Sequence, residues 1–370
     1  MYNDDFLQSK LLERKEQNAF RTLRLPDDKI DFCSNDYLGI ARLGETLSNV
    51  NLQHTTYNLQ LSSGSAGSRL LAGNYPLIEE TEKQIASFHQ AEAGLIFNSG
   101  YDANLGLLSC VPQKGDTIIY DFLSHASLRD GIRLSQAQSF AFLHNDLTDL
   151  ERRLKSATGN IFVITESVFS MDGDYCPLSE IVSLCKQYHA HLILDEAHAT
   201  GVVGERGEGL AQHLHFQDSI FARVHTFGKA CGCHGAVILG SNSLRDYLIN
   251  FARSFIYSTA LPPAAIRVIA NSYNLFPTMN KERKHLNTLI NYFQRSSLAF
   301  PKLVSTTPIQ VVIVSGNTLV KRVAELLQSN NLDVRPILYP TVPKGGERLR
   351  IVLHSFNTLE EVKLLVGLLA

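Results

Sequence analysis

The chain has 370 residues, a formal charge of −2, 44% hydrophobic and 19% charged residues. That balance belongs to a globular chain with a sizeable core and excludes an intrinsically disordered one. It also excludes a nucleic-acid binder that works by bulk charge, and no apolar run approaches the roughly 18 residues of a membrane span.

The start, Met1-Tyr2-Asn3-Asp4-Asp5, is acidic and lacks the apolar stretch of a secretory signal, so a cytoplasmic protein is expected. Its six cysteines, Cys33, Cys110, Cys176, Cys185, Cys231 and Cys233, are irregularly spaced and expected to be reduced. The first stretch, about residues 4–20, is polar and helix-compatible and is expected to pack on another part of the structure. A Gly/Ser-rich segment, Ser62 to Asn74, predicts turns. Ile78, Ile85 and Phe88 then stand at helical spacing among charged residues, which predicts an amphipathic helix.

Apolar runs follow at Leu95–Phe97, Thr117–Tyr120, Ser139–Leu143, Ile161–Thr165, His191–Leu194, Arg223–Phe227 and Ala236–Leu239. Helical stretches separate most of them, such as Ser179–His189 with Ile181, Leu184, Cys185 and Tyr188 on one face. Continuous apolar strands alternating with helices predict an α/β fold, a mostly parallel sheet covered on both faces. Helical patterns dominate about 243–300. The tail reads as strand Gln310–Val314, helix Leu319–Ser329, strands Asp333–Leu338 and Arg348–His354, and helix Leu359–Leu369, a small α+β unit. The expected division is an N-terminal arm (1–45), a large domain (46–275) and a small C-terminal domain (276–370).

In open α/β sheets ligands bind beyond the carboxyl ends of the strands. There the chain places Ser99-Gly100-Tyr101, Ser124-His125, Glu166 to Ser170, Asp195-Glu196-Ala197-His198 and Thr226-Phe227-Gly228-Lys229. One chemistry needs such a set. Pyridoxal phosphate requires an amine for a Schiff base, an acid facing its ring nitrogen, a phosphate cradle and a group on its ring face. Asp195 directly follows a buried strand, and Lys229 follows the next apolar run. A metal is not expected: Cys231-Gly232-Cys233-His234 lacks the second ligand pair of a structural zinc site. The string Asp195-Glu196-Ala197-His198 also occurs in helicase ATPases, but those need an upstream phosphate loop. The single Gly-Lys pair here, Gly228-Lys229, is followed by Ala230.

Several motifs together resemble the α-oxoamine synthases, pyridoxal-phosphate enzymes with the type I aminotransferase-like fold. They are Ser34-Asn35-Asp36-Tyr37-Leu38-Gly39, Gly64 to Gly73, Ser124-His125-Ala126-Ser127, Phe169 to Asp174, Asp195 to Gly201, Thr226 to Lys229, and Pro340 to Ile351. The Gly67-Ser68-Arg69-Leu70 wording is most similar to the biotin-pathway branch of that family. The resemblance implies a decarboxylative condensation of an amino acid, L-alanine, with a pimeloyl thioester on coenzyme A or a carrier protein. The alternative is a sister reaction, such as glycine with acetyl-CoA.

It further implies that Lys229 holds the cofactor and moves the Cα proton, and that Asp195 faces the ring nitrogen. His198 and Ser170 serve the ring oxygen, and His125 stacks on the ring. Gly100, Tyr101 and Thr226 serve the phosphate, with Thr259 reaching that of a neighbouring subunit in a homodimer. Arg350 holds the substrate carboxylate, and Arg21, Thr341 and Asn35 contact substrate. Arg348 is expected on the opposite face of the strand from Arg350. Ala66 stands where the family commonly has glycine, and Cys231 and Cys233 make the stretch after Lys229 unusually thiol-rich.

Overall fold

Seven of the predicted strands form one sheet. A computed structural model describes residues 4–23, 25, 28–44 and 64–370; Ser62 and Ser63 of the Gly/Ser-rich segment lie outside them. The chain divides into two compact units. One comprises Leu38–Ser170 and Tyr175–Arg283, and the other Met1–Tyr37, Met171–Asp174 and Lys284–Ala370.

The first unit holds β2 (Ala93–Phe97), β3 (Thr117–Asp121), β4 (Gln138–Phe142), β5 (Ile161–Glu166), β6 (His191–Asp195), β7 (Ala222–Thr226) and β8 (Ala236–Gly240). Their order is β2-β8-β7-β6-β5-β3-β4. The pairs among β3, β4, β5, β6 and β7 are parallel, whereas β8 runs antiparallel to both β7 and β2. The reversal follows from length. A parallel return needs a crossover of about a dozen residues or more, and the link from Thr226 to Ala236 is too short.

The inner strands are mostly apolar because both faces are covered, whereas the edge strand β4 leaves Gln138, Ser139 and Phe140 exposed. Alternate residues Leu95, Ile118, Phe162, Ile193, Val224 and Ile238 pack with the helices Gly100–Cys110 and Asn242–Phe251 through Ala103, Leu107, Leu108, Leu244 and Leu248. The intervening residues, including Val163, Leu192, Leu194 and Leu239, are buried on the other face. There the helix Pro76–Phe88 buries Ile78, Glu82 and Ile85 and leaves Phe88 half-buried. The helix Leu178–Gln187 buries Leu178, Ile181, Val182 and Cys185, a stripe rotated from the predicted one, with Leu184 and Tyr188 only half-buried.

The second unit contains β9 (Ile309–Ile313), β11 (Arg335–Ile337) and β12 (Arg348–Val352) in the order β11-β12-β9, all antiparallel. The helices Asn317–Ser329 and Leu359–Leu369 bury Val320, Val323, Leu327, Val362, Leu365 and Val366. The predicted strand Asp333–Leu338 is two. β10 (Leu332–Asp333) pairs in parallel with β1 (Ile30–Asp31), and β11 is an edge strand, where Pro336 can sit without owing the ladder an N–H. The N-terminal helix Asp5–Glu16 buries none of its residues, and the predicted packing of this stretch occurs just beyond it, where Ala19 is buried, Asn317 Nδ2 donates to Gln17 O at 2.8 Å and Lys321 Nζ to Asn18 Oδ1 at 2.6 Å. All six cysteines are free thiols. Among the described residues no helix is long and apolar enough to cross a membrane.

Candidate active site

Strand parity builds the centre of the site. Glu166, Asp195 and Thr226 are the last residues of β5, β6 and β7. Glu166 is the register partner of Asp195, and Asp195 that of Val224, two residues before Thr226. All three therefore point to one face, the one covered by the helix Gly100–Cys110. All three are buried.

Asp195 is held at both oxygens. Its Oδ1 accepts the Ala197 N–H at 2.9 Å and its Oδ2 the Asn104 Nδ2–H at 2.8 Å. His198, one helical turn's distance along the chain, is buried as well. Glu166 accepts the His125 backbone N–H at 2.7 Å. Burial, and then the charge of Asp195, push the Glu166 carboxyl up to about 8; the His125 N–H and Lys229 oppose this, and Asp121 adds to it. Glu166 thus keeps its proton to a higher pH than an ordinary carboxyl.

This has a consequence for stability. The folded value lies above the ordinary 4.5, so the folded protein keeps a proton that the unfolded chain releases. That contribution is fully present below pH 4.5 and is lost as pH rises through about 8. The loss amounts to as much as about 1.4 kcal/mol per pH unit inside that window. Glu166→Gln removes the titration, so its urea-unfolding free energy is expected to fall less than the wild type's between these pH values. Parallel curves for the two proteins would contradict the assignment.

His125 caps the helix Ala126–Leu134, its Nδ1 accepting the Ser127 N–H at 3.2 Å with the Ser127 hydroxyl 2.8 Å away. Nδ1 is thereby an acceptor and the neutral ring carries its proton on Nε2. The surrounding protein displaces water from the imidazole and lowers its pKa. The positive charge of Lys229 adds to this, and Asp195 and Asp130 oppose it. Lys229 is half-buried, and its charge is felt by both His125 and Glu166.

The helix Gly100–Cys110 starts beside Thr226. Ser99 caps it by accepting the Asp102 N–H, and a Cβ at Gly100 would lie 2.5 Å from Thr226 Cγ2. The N–H groups of Gly100 and Tyr101 precede the first intrahelical bond. Thr226 Oγ1 is buried with no hydrogen-bond partner among the described residues. Tyr101 is exposed and bonded through its hydroxyl to Asp130. Ser170 is half-buried just beyond β5 and Thr259 is exposed. Thr259 forms a bridge with Ser68 of the Gly/Ser-rich loop. In that loop Ala66 has φ +58°, the left-handed region where glycine is at ease.

The remaining predicted residues lie in the other unit, in two pairs. Arg350 Nη2 donates to Asn35 Oδ1 at 3.0 Å, and Arg21 Nη2 donates to Thr341 Oγ1 at 2.9 Å. Arg21 and Thr341 are exposed; Asn35 and Arg350 are half-buried. The expectation for Arg348 is corrected. Residues two apart share a face of a strand, so Arg348 and Arg350 are separated by partner and not by side. Arg348 is buried against Asp172 and also donates to Gly346 O. Asn104 and Glu166 carry no predicted role, yet they contact the central groups directly. The available signal for Asn104 was its place four residues after Gly100, on the helix face turned to the strand ends.

Comparison with known proteins agrees with this architecture. The family described as aminotransferase class I and II matches residues 27–366. An 8-amino-7-oxononanoate synthase of Emericella nidulans is 41% identical over 390 residues, covering 97% of this chain and 93% of that one. The 8-amino-7-oxononanoate synthase 2 of Bacillus subtilis is 36% identical, covering 97% and 95%. Among solved structures, the 8-amino-7-oxononanoate synthase of Francisella tularensis superposes with a TM-score of 0.78 at 30% identity, over 93% of this chain and 97% of that one. A serine palmitoyltransferase variant from S. paucimobilis with a bound PLP–myriocin aldimine superposes at 0.88 with 24% identity, over 99% and 96%; that likeness speaks for the fold.

Proposed function

The chain belongs to the aminotransferase class I and II family, and from that premise we propose that it is a pyridoxal-phosphate-dependent 8-amino-7-oxononanoate synthase. It condenses L-alanine with a pimeloyl thioester, releasing carbon dioxide and the free thiol. The observation that carries the reading is the triad of strand ends, Glu166, Asp195 and Thr226, on the face where the helix starts at Gly100.

The donor set fits the cofactor. A buried Thr226 hydroxyl without a partner among the described residues lies beside a helix start whose first N–H groups are unused by the helix, a pairing suited to a phosphate. A buried carboxylate, fixed at both oxygens, suits a protonated ring nitrogen. When bound, pyridoxal phosphate supplies the electron sink for the carbanion at the amino acid Cα.

The chain's own groups do the rest. Lys229 would hold the cofactor through its amine and carry the proton to and from Cα. Asp195 would hold the proton of the ring nitrogen, and His198 and Ser170 would serve the ring oxygen. His125 would stack on the ring, the plane of its imidazole fixed by its Nδ1 contacts. Gly100, Tyr101 and Thr226 bind the phosphate, with Thr259 serving that of the partner in a cytoplasmic homodimer. Arg350, oriented by Asn35, binds the amino-acid carboxylate, a bidentate task for which a guanidinium is suited. Arg21 and Thr341 contact the acyl substrate as a pair.

The test is competition. Purified protein is expected to be yellow from its bound cofactor and, offered mixtures of alanine, glycine and serine with pimeloyl and acetyl thioesters, to give 8-amino-7-oxononanoate as the main product by mass spectrometry. A colourless protein that takes up no pyridoxal phosphate would refute the cofactor; a dominant glycine–acetyl product would refute the substrate. Sedimentation of the holoenzyme as a monomer would refute the dimer.

A further inference from the structure

We infer that Asn104 is a positioning residue that aims the ring-nitrogen acid, Asp195. The inference rests on the cofactor reading above. Asn104 is 2% exposed, on the helix Gly100–Cys110. Its Nδ2 reaches two acceptors, Asp195 Oδ2 at 2.8 Å and Ser127 Oγ at 3.0 Å. An ionised carboxylate only accepts, so the amide must present its NH2 group on that side, and the two hydrogens serve the two partners.

The chain of donors then has one direction. Asn104 donates to Ser127 Oγ, and Ser127, through its hydroxyl and its N–H, serves His125 Nδ1. The carboxylate and the imidazole come from different elements, β6 and the start of the helix Ala126–Leu134, and a single buried amide links them. The other oxygen of Asp195 is held by the Ala197 N–H of its own strand exit. Both hydrogens of the Asn104 amide go to protein acceptors, so it acts through Asp195. A carboxylate that keeps one of two fixing bonds is less well aimed at a ring N–H, and charge-assisted bonds depend strongly on aim.

This separates a positioning role from a merely packing one. If Asn104 acts through Asp195, its removal weakens only what depends on the ring nitrogen. Apoprotein of the wild type and of Asn104→Ala should be titrated with pyridoxal phosphate and with its analogue bearing CH in place of the ring nitrogen. Asn104→Ala is expected to lose roughly tenfold in affinity for pyridoxal phosphate and to bind the CH analogue within about twofold of the wild type. Equal losses for both ligands, or no loss for either, would overturn the inference while leaving the cofactor reading intact. A wild type that binds neither ligand takes down both. Should Asn104→Ala fail to fold, as judged by circular dichroism, Asn104→Ser takes its place. One hydroxyl hydrogen cannot serve two acceptors, so the same selective loss is expected, and an unselective one would overturn the inference.

Discussion

Lys229→Ala is expected to end product formation, with a loss beyond about 10⁴-fold, the upper range for a single positioned acid–base group. The loss exceeds that of an ordinary proton carrier because the same amine holds the cofactor. The side chain is half-buried and close enough to Glu166 and His125 for its charge to bear on both. The phosphate contacts proposed for Gly100, Tyr101 and Thr226 do not involve this amine, so weak cofactor uptake should survive. The variant should be pale, bind pyridoxal phosphate reversibly on dialysis, and give no 8-amino-7-oxononanoate by mass spectrometry. Wild-type turnover in Lys229→Ala would remove the central assignment.

The largest expected loss of stability is elsewhere, at Arg69. Its guanidinium donates to Glu82 at 2.7 and 3.2 Å, to Asn74 Oδ1 at 2.7 Å and to Glu79 at 3.3 Å. The side chains of Arg69 and Glu82 are only 6% and 3% exposed. Glu82 also accepts the Ile96 N–H at 2.8 Å, and Arg245 approaches it at 3.4 Å. Removing Arg69 takes the two shortest ion-pair contacts from the buried Glu82 and leaves it only the longer approach of Arg245, at a cost toward the lower end of the roughly 3–5 kcal/mol of a broken buried pair. Arg69→Met is therefore expected to lower the unfolding free energy by that amount in urea titrations. Lys363→Met, which breaks an exposed pair with Glu360, is expected to cost no more than about 1 kcal/mol. An Arg69→Met loss as small as the surface one would contradict the account. Arg69 also ties the Gly/Ser-rich loop to the helix Pro76–Phe88, and Ala260 N–H bonds Gly67 O from the other side.

How much of this was legible beforehand depends on the kind of signal. Strand ends were readable, because an apolar run that stops at Asp195 or Thr226 marks both the strand and its exit. The direction of β8 was readable only in principle, from the short link behind Lys229. The pairing of Ile30–Asp31 with Leu332–Asp333 was not, since two-residue strands carry no period and their partners are some 300 positions apart. Buried polar residues on helices were the main omission. Glu82 falls between Ile78 and Ile85 at the spacing of the apolar stripe, and Asn104 sits beside Ala103 and before Leu107. A polar residue at such a position announces a buried partner, but not which one. Asp195 lies 91 positions from Asn104, and only the folded sheet brings them together.

The segment that carries Lys229 behaves unlike an ordinary surface turn. Phe227 N–H bonds Gly235 O, Cys233 N–H bonds Phe227 O, and Gly232 N–H bonds Lys229 O. Gly232 has φ +63°, and a Cβ there would come within 2.4 Å of Ala41 N. Turns at a protein's periphery usually tolerate extra or missing residues. Here three backbone hydrogen bonds and the close approach at Gly232 hold the link, and Ala230 and Cys231 are buried, so related chains should keep the count of residues between the two strands unchanged. The reach of the amine is set by that count, which makes chain length in this stretch a sharper marker of a working enzyme than the identity of its neighbours.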